Sequence, residues 1–194
     1  MRFAIVLLIS IALAGCGKAQ PKASNRLILG AVAPRDPAPM ALSLGGGDVQ
    51  GRVAERHSAY GANLSPPLAW TPVAGAAAYA LVVEDPDAPG LRPFVHWLIW
   101  NVPAGVSALA EGVAAGAALP AGVIQGSNGA GSAGYFGPRP PAGSGLHHYH
   151  FEIFALDRPL ALAPGAEAAA FGRSLQGHVL AKGETVATFE APRN

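Results

Sequence analysis

Residues 79–100 read Tyr-Ala-Leu-Val-Val-Glu-Asp-Pro-Asp-Ala-Pro-Gly-Leu-Arg-Pro-Phe-Val-His-Trp-Leu-Ile-Trp. Two apolar runs in this stretch decide the fold class. Residues 79–83 form a short continuous run that stops at Asp85-Pro86. Residues 95–100 form a second, which stops at Asn101-Val102-Pro103. Runs of this length, rich in β-branched and aromatic residues and bounded by Pro, Gly and Asn, read as strands. Outward from them, residues 149–156 alternate, with Tyr149, Phe151 and Ile153 on one face and His150, Glu152 and Phe154 on the other. Residues 185–189 supply another strand.

One helix is expected, over residues 166–182, because Phe171, Leu175 and Val179 recur every four residues. Pro164-Gly165 would open it and Gly183 would sit at its C-cap. Residues 104–147 are rich in Gly and Ala without a clear period and read as long loops. Strands dominate, so the expected class is mainly β, a β-sandwich with peripheral helices. Trp70, Trp97 and Trp100 are assigned to its core.

The N-terminus reads as an address. Met1-Arg2 is followed by an apolar stretch, residues 3–14, and then by Leu13-Ala14-Gly15-Cys16. The stretch is shorter than the ~20 residues of a membrane-spanning helix. It fits a secretory signal, and its end resembles a bacterial lipobox. We expect a lipoprotein signal peptide over 1–15, a lipidated N-terminus and flexible tether over 16–38, and one domain over 39–194. Cys16 is the lipid acceptor and the link to the membrane. Gly17, where an Asp would retain the protein at the inner membrane, favours the outer membrane facing the periplasm. Cys16 is the only cysteine, so no disulfide staples the fold.

Charge excludes one large class of partner. Without Arg2 the basic count falls from 13 to 12, equal to the 12 acidic residues, and such a chain lacks the electrostatic footprint of a nucleic-acid binder. A homodimer is neither required nor excluded.

Three clusters carry chemistry: Asp85-Pro86-Asp87-Ala88-Pro89; His96-Trp97 ahead of Asn101; and residues 135–149, Tyr-Phe-Gly-Pro-Arg-Pro-Pro-Ala-Gly-Ser-Gly-Leu-His-His-Tyr. With the early stretch Asn63-Leu64-Ser65-Pro66-Pro67-Leu68-Ala69-Trp70, they occur in the order and at the approximate spacing of four motifs of one family. The chain resembles the phosphatidylethanolamine-binding protein (PEBP) family over residues 63–189, in its bacterial YbhB/YbcL-like, Raf kinase inhibitor-like branch. The resemblance implies a β-sandwich with a small pocket at one end that accepts phosphate, acetate or phospholipid head groups. It places Asp85, Asp87, His96, Pro140, Pro141, His147 and Tyr149 on the pocket positions.

The residue chemistry agrees. Imidazoles donate hydrogen bonds to anions, more strongly when protonated, and a neighbouring carboxylate orients the ring. His96 and His147 are therefore assigned as anion donors and Asp85 and Asp87 as orienting groups. Tyr149 is assigned as a wall or a hydroxyl donor. Asp85-Pro86-Asp87 taken alone would be only a turn. His148 and His150 are assigned to the surface and His178 to a helix flank.

The leading function is a binding or regulatory module for a small anion or head group. No cofactor and no metal are expected, although a mixed site of Asp85, Asp87, His96 and His147 is chemically conceivable. The alternatives are a weak hydrolase using His and Asp, or an inhibitor of an envelope protease. The sequence has neither a Gly-x-Ser-x-Gly elbow nor a His-Glu-x-x-His pair. Arg139 departs from animal relatives, which carry Gly there, and stands either at the pocket rim or in solvent. Ala187-Thr188-Phe189 departs from the Gly-x-Tyr of many relatives.

Overall fold

The computed structural model describes residues 27–36, 38–47 and 51–193. The segment expected to be a signal peptide, Cys16 and the first part of the expected tether lie outside the described residues. Two antiparallel sheets form the frame. The smaller orders β1 (Leu42–Leu44), β2 (Leu68–Trp70) and β5 (Ala108–Leu109) as β1-β2-β5. The larger runs β6-β4-β3-β7-β8, built from β3 (Ala78–Asp85), β4 (Phe94–Pro103), β6 (Ile124–Gln125), β7 (Leu146–Leu156) and β8 (Val179–Glu190).

The two-residue period of a strand divides the apolar side chains between two cores. Tyr79, Leu81 and Val83 of β3, Trp97 and Ile99 of β4, and Phe151 and Ile153 of β7 meet Leu42, Leu68 and Trp70 of the small sheet. Ala80, Val82, Leu98, Trp100, Phe154 and Leu156 point the other way. There they meet Phe171 and Leu175 of the helix α2 (Ala168–Leu175). Both sides of the large sheet are covered, which is why residues 79–83 of β3 and 97–100 of β4 form unbroken apolar runs. All three tryptophans are buried, as expected.

The helix is shorter than its periodicity suggests. It ends at Leu175, and Gly177 turns the chain with φ of +76°. Val179 already belongs to β8, which begins six residues before the strand expected from sequence. The four-residue spacing reported a shared apolar cluster correctly, since Val179 packs with Phe171 and Leu175, but not a shared element. Gly183 is no C-cap. It lies in mid-strand, where a Cβ would stand 2.1 Å from the Met40 carbonyl oxygen. The missing side chain lets the incoming chain lie against β8.

That incoming chain corrects the tether reading for residues 27–36. Val32 is 2% exposed in the outer core. The N–H groups of Arg35 and Asp36 donate to the carbonyls of Val179 and Leu180. The one-turn helix α1 (Ile28–Ala31) sits above two buried acids on the outer face of the sheet. Ile28 N–H donates to Glu84 Oε2 and Leu29 N–H to Glu152 Oε2, each at 2.7 Å. Lys182 Nζ closes the strap by donating to the carbonyls of Leu29 and Val32, both at 2.6 Å. Burial raises both carboxyl groups above their ordinary value of 4.5, and at Glu152 the nearby Glu84 charge adds to the effect.

Candidate anion pocket

The site forms where β3, β4 and β7 end together. Asp85 is the last residue of β3, and its side chain does three things at once. Oδ1 accepts the N–H groups of Asp87 (2.8 Å) and Ala88 (3.0 Å), closing an Asx turn, and Oδ2 faces His147 Nδ1 at 2.8 Å. Asp85 and His147 are each 3% exposed. The prolines of Asp85-Pro86-Asp87-Ala88-Pro89 thus flank a turn held by its first residue.

β4 delivers His96 through an irregularity. Val83 pairs with Trp97 and Glu84 with Val95, so His96 is an extra residue on β4 at that step. A bulge of this kind re-aims one side chain without ending the strand. The His96 ring lies between Phe94 (centroids 4.8 Å) and Phe136 (6.1 Å), with Tyr149 against it at 5.1 Å. Its Nδ1–H donates to the Phe136 carbonyl at 2.6 Å, while Phe136 N–H donates to the His96 carbonyl. Burial pushes the imidazole down to about 4, and the contact with Phe136 opposes this only in part.

The loop over residues 135–141 is braced by the early motif. Asn63, at φ of +55°, accepts the Gly137 N–H through Oδ1 at 2.7 Å. Tyr60 donates its hydroxyl to the Pro140 carbonyl, and Tyr135 donates to the His57 carbonyl. Gly137 is required by contact, because a Cβ there would lie 2.3 Å from the His57 carbonyl oxygen. The brace carries Arg139, Pro140 and Pro141 over the ends of the strands.

The result is a cavity of 320 Å³ lined by Asp85, His96, Arg139, Pro140, Pro141 and His147, with Phe94 and Phe136 among its apolar walls. Five of the seven residues assigned from sequence line it. Tyr149 does not. It is wholly buried beside His96, and its hydroxyl has no well-formed hydrogen bond, although burial and the nearby Asp85 charge both raise its pKa. Asp87 sits in the turn, half-exposed, and its Oδ2 takes the N–H and the ring Nδ1 of His148. It lines a neighbouring hollow of 520 Å³ and orients His148 instead of a pocket imidazole.

The two imidazoles assigned as anion donors both have partners within the chain. His96 is neutral near pH 7, gives its one N–H to Phe136 and keeps a lone pair on Nε2. Both ring nitrogens of His147 are engaged, Nδ1 with Asp85 and Nε2 with Ser144 Oγ at 3.0 Å. The cation at the cavity is Arg139, which is exposed and forms no ion pair or hydrogen bond among the described residues. Sequence reasoning left its placement open because a loop position does not reveal which way a side chain faces. No group of three or more His, Cys, Asp or Glu among the described residues is arranged to hold a metal ion. His148 is half-exposed, while His150 is more sheltered and pairs with Glu184. His178 lies just beyond the helix and pairs with Asp157.

Residues 46–190 match the family profile described as phosphatidylethanolamine-binding protein. The chain belongs to the phosphatidylethanolamine-binding protein family. A UPF0098 protein of Methanothermobacter thermautotrophicus is 41% identical over 141 residues, covering 72% of this chain and 91% of that protein. A Mycobacterium tuberculosis protein named putative lipoprotein LppC is 42% identical over 133 residues, 69% of this chain and 63% of that one. Among solved structures, Escherichia coli YbcL, titled a member of the mammalian PEBP family, superposes with a TM-score of 0.72 at 30% identity. The match covers 80% of this chain and all of YbcL. The PEBP homologue CT736 of Chlamydia trachomatis gives 0.70 at 31% identity, over 79% and 99% of the two chains. The mainly β architecture and the PEBP assignment read from sequence therefore both stand. The braced 135–141 loop and the Asp85 turn lie inside the matched span.

Proposed function

We propose that this PEBP protein is an envelope lipoprotein, anchored through Cys16, whose cavity binds a small phosphorylated ligand: inorganic phosphate or the phosphoethanolamine part of a lipid. The observation that carries the reading is the pairing, in one cavity, of the unpaired Arg139 cation with a neutral His96. Guanidinium favours phosphate by charge and by its fork of donors. A neutral imidazole acts through its lone pair, so the ligand must also bring an N–H or O–H. Hydrogen phosphate has such a proton and phosphoethanolamine has an ammonium; sulfate has neither. The anchor is supported by the apolar stretch ending in Leu13-Ala14-Gly15-Cys16 and by the lipoprotein name of one relative. In this reading the domain works at the outer membrane, facing the periplasm.

Titration calorimetry at pH 7 tests the ligand. Phosphate and phosphoethanolamine are expected to bind measurably and sulfate at least about tenfold more weakly. Arg139→Ala is expected to lose about tenfold or more for phosphate, the equivalent of one charged hydrogen bond. Equal binding of phosphate and sulfate, or an Arg139→Ala variant that binds like the parent, would contradict the assignment.

A further inference from the structure

Ser144 was not among the residues singled out by the sequence, and the binding function does not use it. It stands exposed on a tight loop between Gly143 (φ +78°) and Gly145 (φ +86°). Its Oγ lies 3.0 Å from His147 Nε2, and His147 Nδ1 lies 2.8 Å from Asp85 Oδ2. The other Asp85 oxygen is pinned by the Asp87 and Ala88 N–H groups, which fixes Oδ2 on the imidazole. Hydroxyl, imidazole and carboxylate thus follow one another in hydrogen-bond contact. Only the serine end is open to solvent; the other two side chains are buried.

We propose that Ser144, His147 and Asp85 form a nucleophilic relay that hydrolyses small carboxylic esters. The order of the three groups is the one that activates a serine in acyl transfer. Ser144 Oγ also lies 2.8 Å from the Pro141 carbonyl, so its proton has two acceptors, and turning it to His147 readies the oxygen for attack. The Gly145 N–H donates to no acceptor among the described residues. The N–H that follows a nucleophilic serine is a donor suited to the oxyanion that develops. In front of the serine lies the 520 Å³ hollow, walled by Pro89, Pro141 and Leu146, which offer apolar contact to an acyl chain.

The reaction balances with water as the only co-reactant. Ser144 Oγ bonds to the ester carbonyl carbon while its proton moves to His147 Nε2. The ester C–O bond breaks, and the leaving alkoxide takes that proton and departs as the alcohol. Water then adds to the acyl carbon, giving a proton to Nε2. The bond to Oγ breaks, the proton returns to Oγ, and the carboxylic acid leaves. Nothing is oxidised or reduced. The relay does not depend on whether the Arg139 cavity takes an anion.

The test is to treat the full chain with a fluorophosphonate, which loses fluoride to an activated serine, and to map the adduct by mass spectrometry. In parallel, turnover of 4-nitrophenyl butyrate is followed. One adduct on Ser144 is expected, with both adduct and turnover absent from Ser144→Ala, whose exposed side chain is not needed by the core. In Asp85→Asn, which keeps an oxygen for the Asp87 and Ala88 N–H groups, labelling should slow at least about tenfold. This is read on protein whose near-ultraviolet spectrum remains native. No adduct on Ser144, turnover that survives in Ser144→Ala, or an unchanged rate in Asp85→Asn would each overturn the proposal.

Discussion

Replacing Asp85 with alanine is expected to lower the unfolding free energy by about 3–5 kcal/mol, because three donors lose one shared acceptor and each buried polar group left unsatisfied costs about 1–3 kcal/mol. The size follows from how many groups depend on this one side chain. Alanine strips the acceptor from the N–H groups of Asp87 and Ala88 and from His147 Nδ1. His147 is almost wholly enclosed, so its ring nitrogen cannot turn to water for compensation. Asparagine is expected to cost less, since its oxygen can still close the turn and only the contact with His147 is lost. Urea unfolding of the three proteins measures the order: parent, then Asn, then Ala. A loss in Asp85→Ala below about 1 kcal/mol would mean that the turn and the imidazole hold their places without the carboxylate.

Stability is expected to decline on the alkaline side, and Glu152→Gln to flatten that decline. In the folded protein both Glu84 and Glu152 hold their protons above the ordinary carboxyl value of 4.5. The folded state therefore binds more protons than the unfolded chain over that interval. Stability falls with rising pH wherever the folded state binds the extra protons. The contribution of the pair is complete below about 4.5 and is lost as the pH climbs through the raised folded values. The charges around the pair do not remove the effect. Glu184 lies opposite Glu152 on β8 and is itself held by His150, while Lys182 spends its donors on the strap carbonyls.

His96 acts in the opposite direction. With its folded value depressed to about 4, its contribution is present above the ordinary 6.5 and is lost as the pH falls toward 4. Glutamine at 152 imitates the protonated acid. It can accept the Leu29 N–H and stays neutral at every pH. Thermal midpoints at pH 6 and pH 9, together with hydrogen exchange at the Ile28 and Leu29 amides, provide the readout. The parent should lose stability and strap protection at pH 9, and Glu152→Gln should lose less of both. Parallel behaviour of the two proteins would show that the acids do not govern the strap.

Much of this architecture was legible because strands that are buried on both faces leave unbroken apolar runs. Residues 79–83 and 95–100 could hardly be anything else at that length between Pro, Gly and Asn, and the alternation in 149–156 placed its two faces correctly. The helix limit was not legible: Val179 continues the spacing of Phe171 and Leu175 from a different element, and only the left-handed turn at Gly177 separates them. The strap escaped because its partners, Glu84, Glu152 and Lys182, lie far along the chain and meet only through the register of β3, β7 and β8.

The candidate site was legible by residue type but not by direction. Asp85, His96 and His147 line one cavity. Asp87 turned away because the Asx turn places its backbone, not its carboxylate, beside Asp85. Tyr149 stayed behind the cavity because it alternates with His148 and His150 into the inner core. The chemistry of His96 depends on a bulge and on the Phe136 carbonyl, neither of which a sequence displays. Gln125 shows the same limit. It is fully buried, accepts the Trp97 indole N–H and donates to the carbonyls of Ala114 and Gly116. It thereby anchors a loop that composition alone left without a place.

The most direct test of the account is a crystal structure of the protein saturated with phosphate. Phosphate is predicted in the cavity beneath Pro140 and Pro141, within hydrogen-bond reach of the Arg139 guanidinium and of His96 Nε2, with the Asp85–His147 contact intact. An empty cavity at saturating phosphate, or phosphate bound at another face with Arg139 turned to solvent, would contradict it.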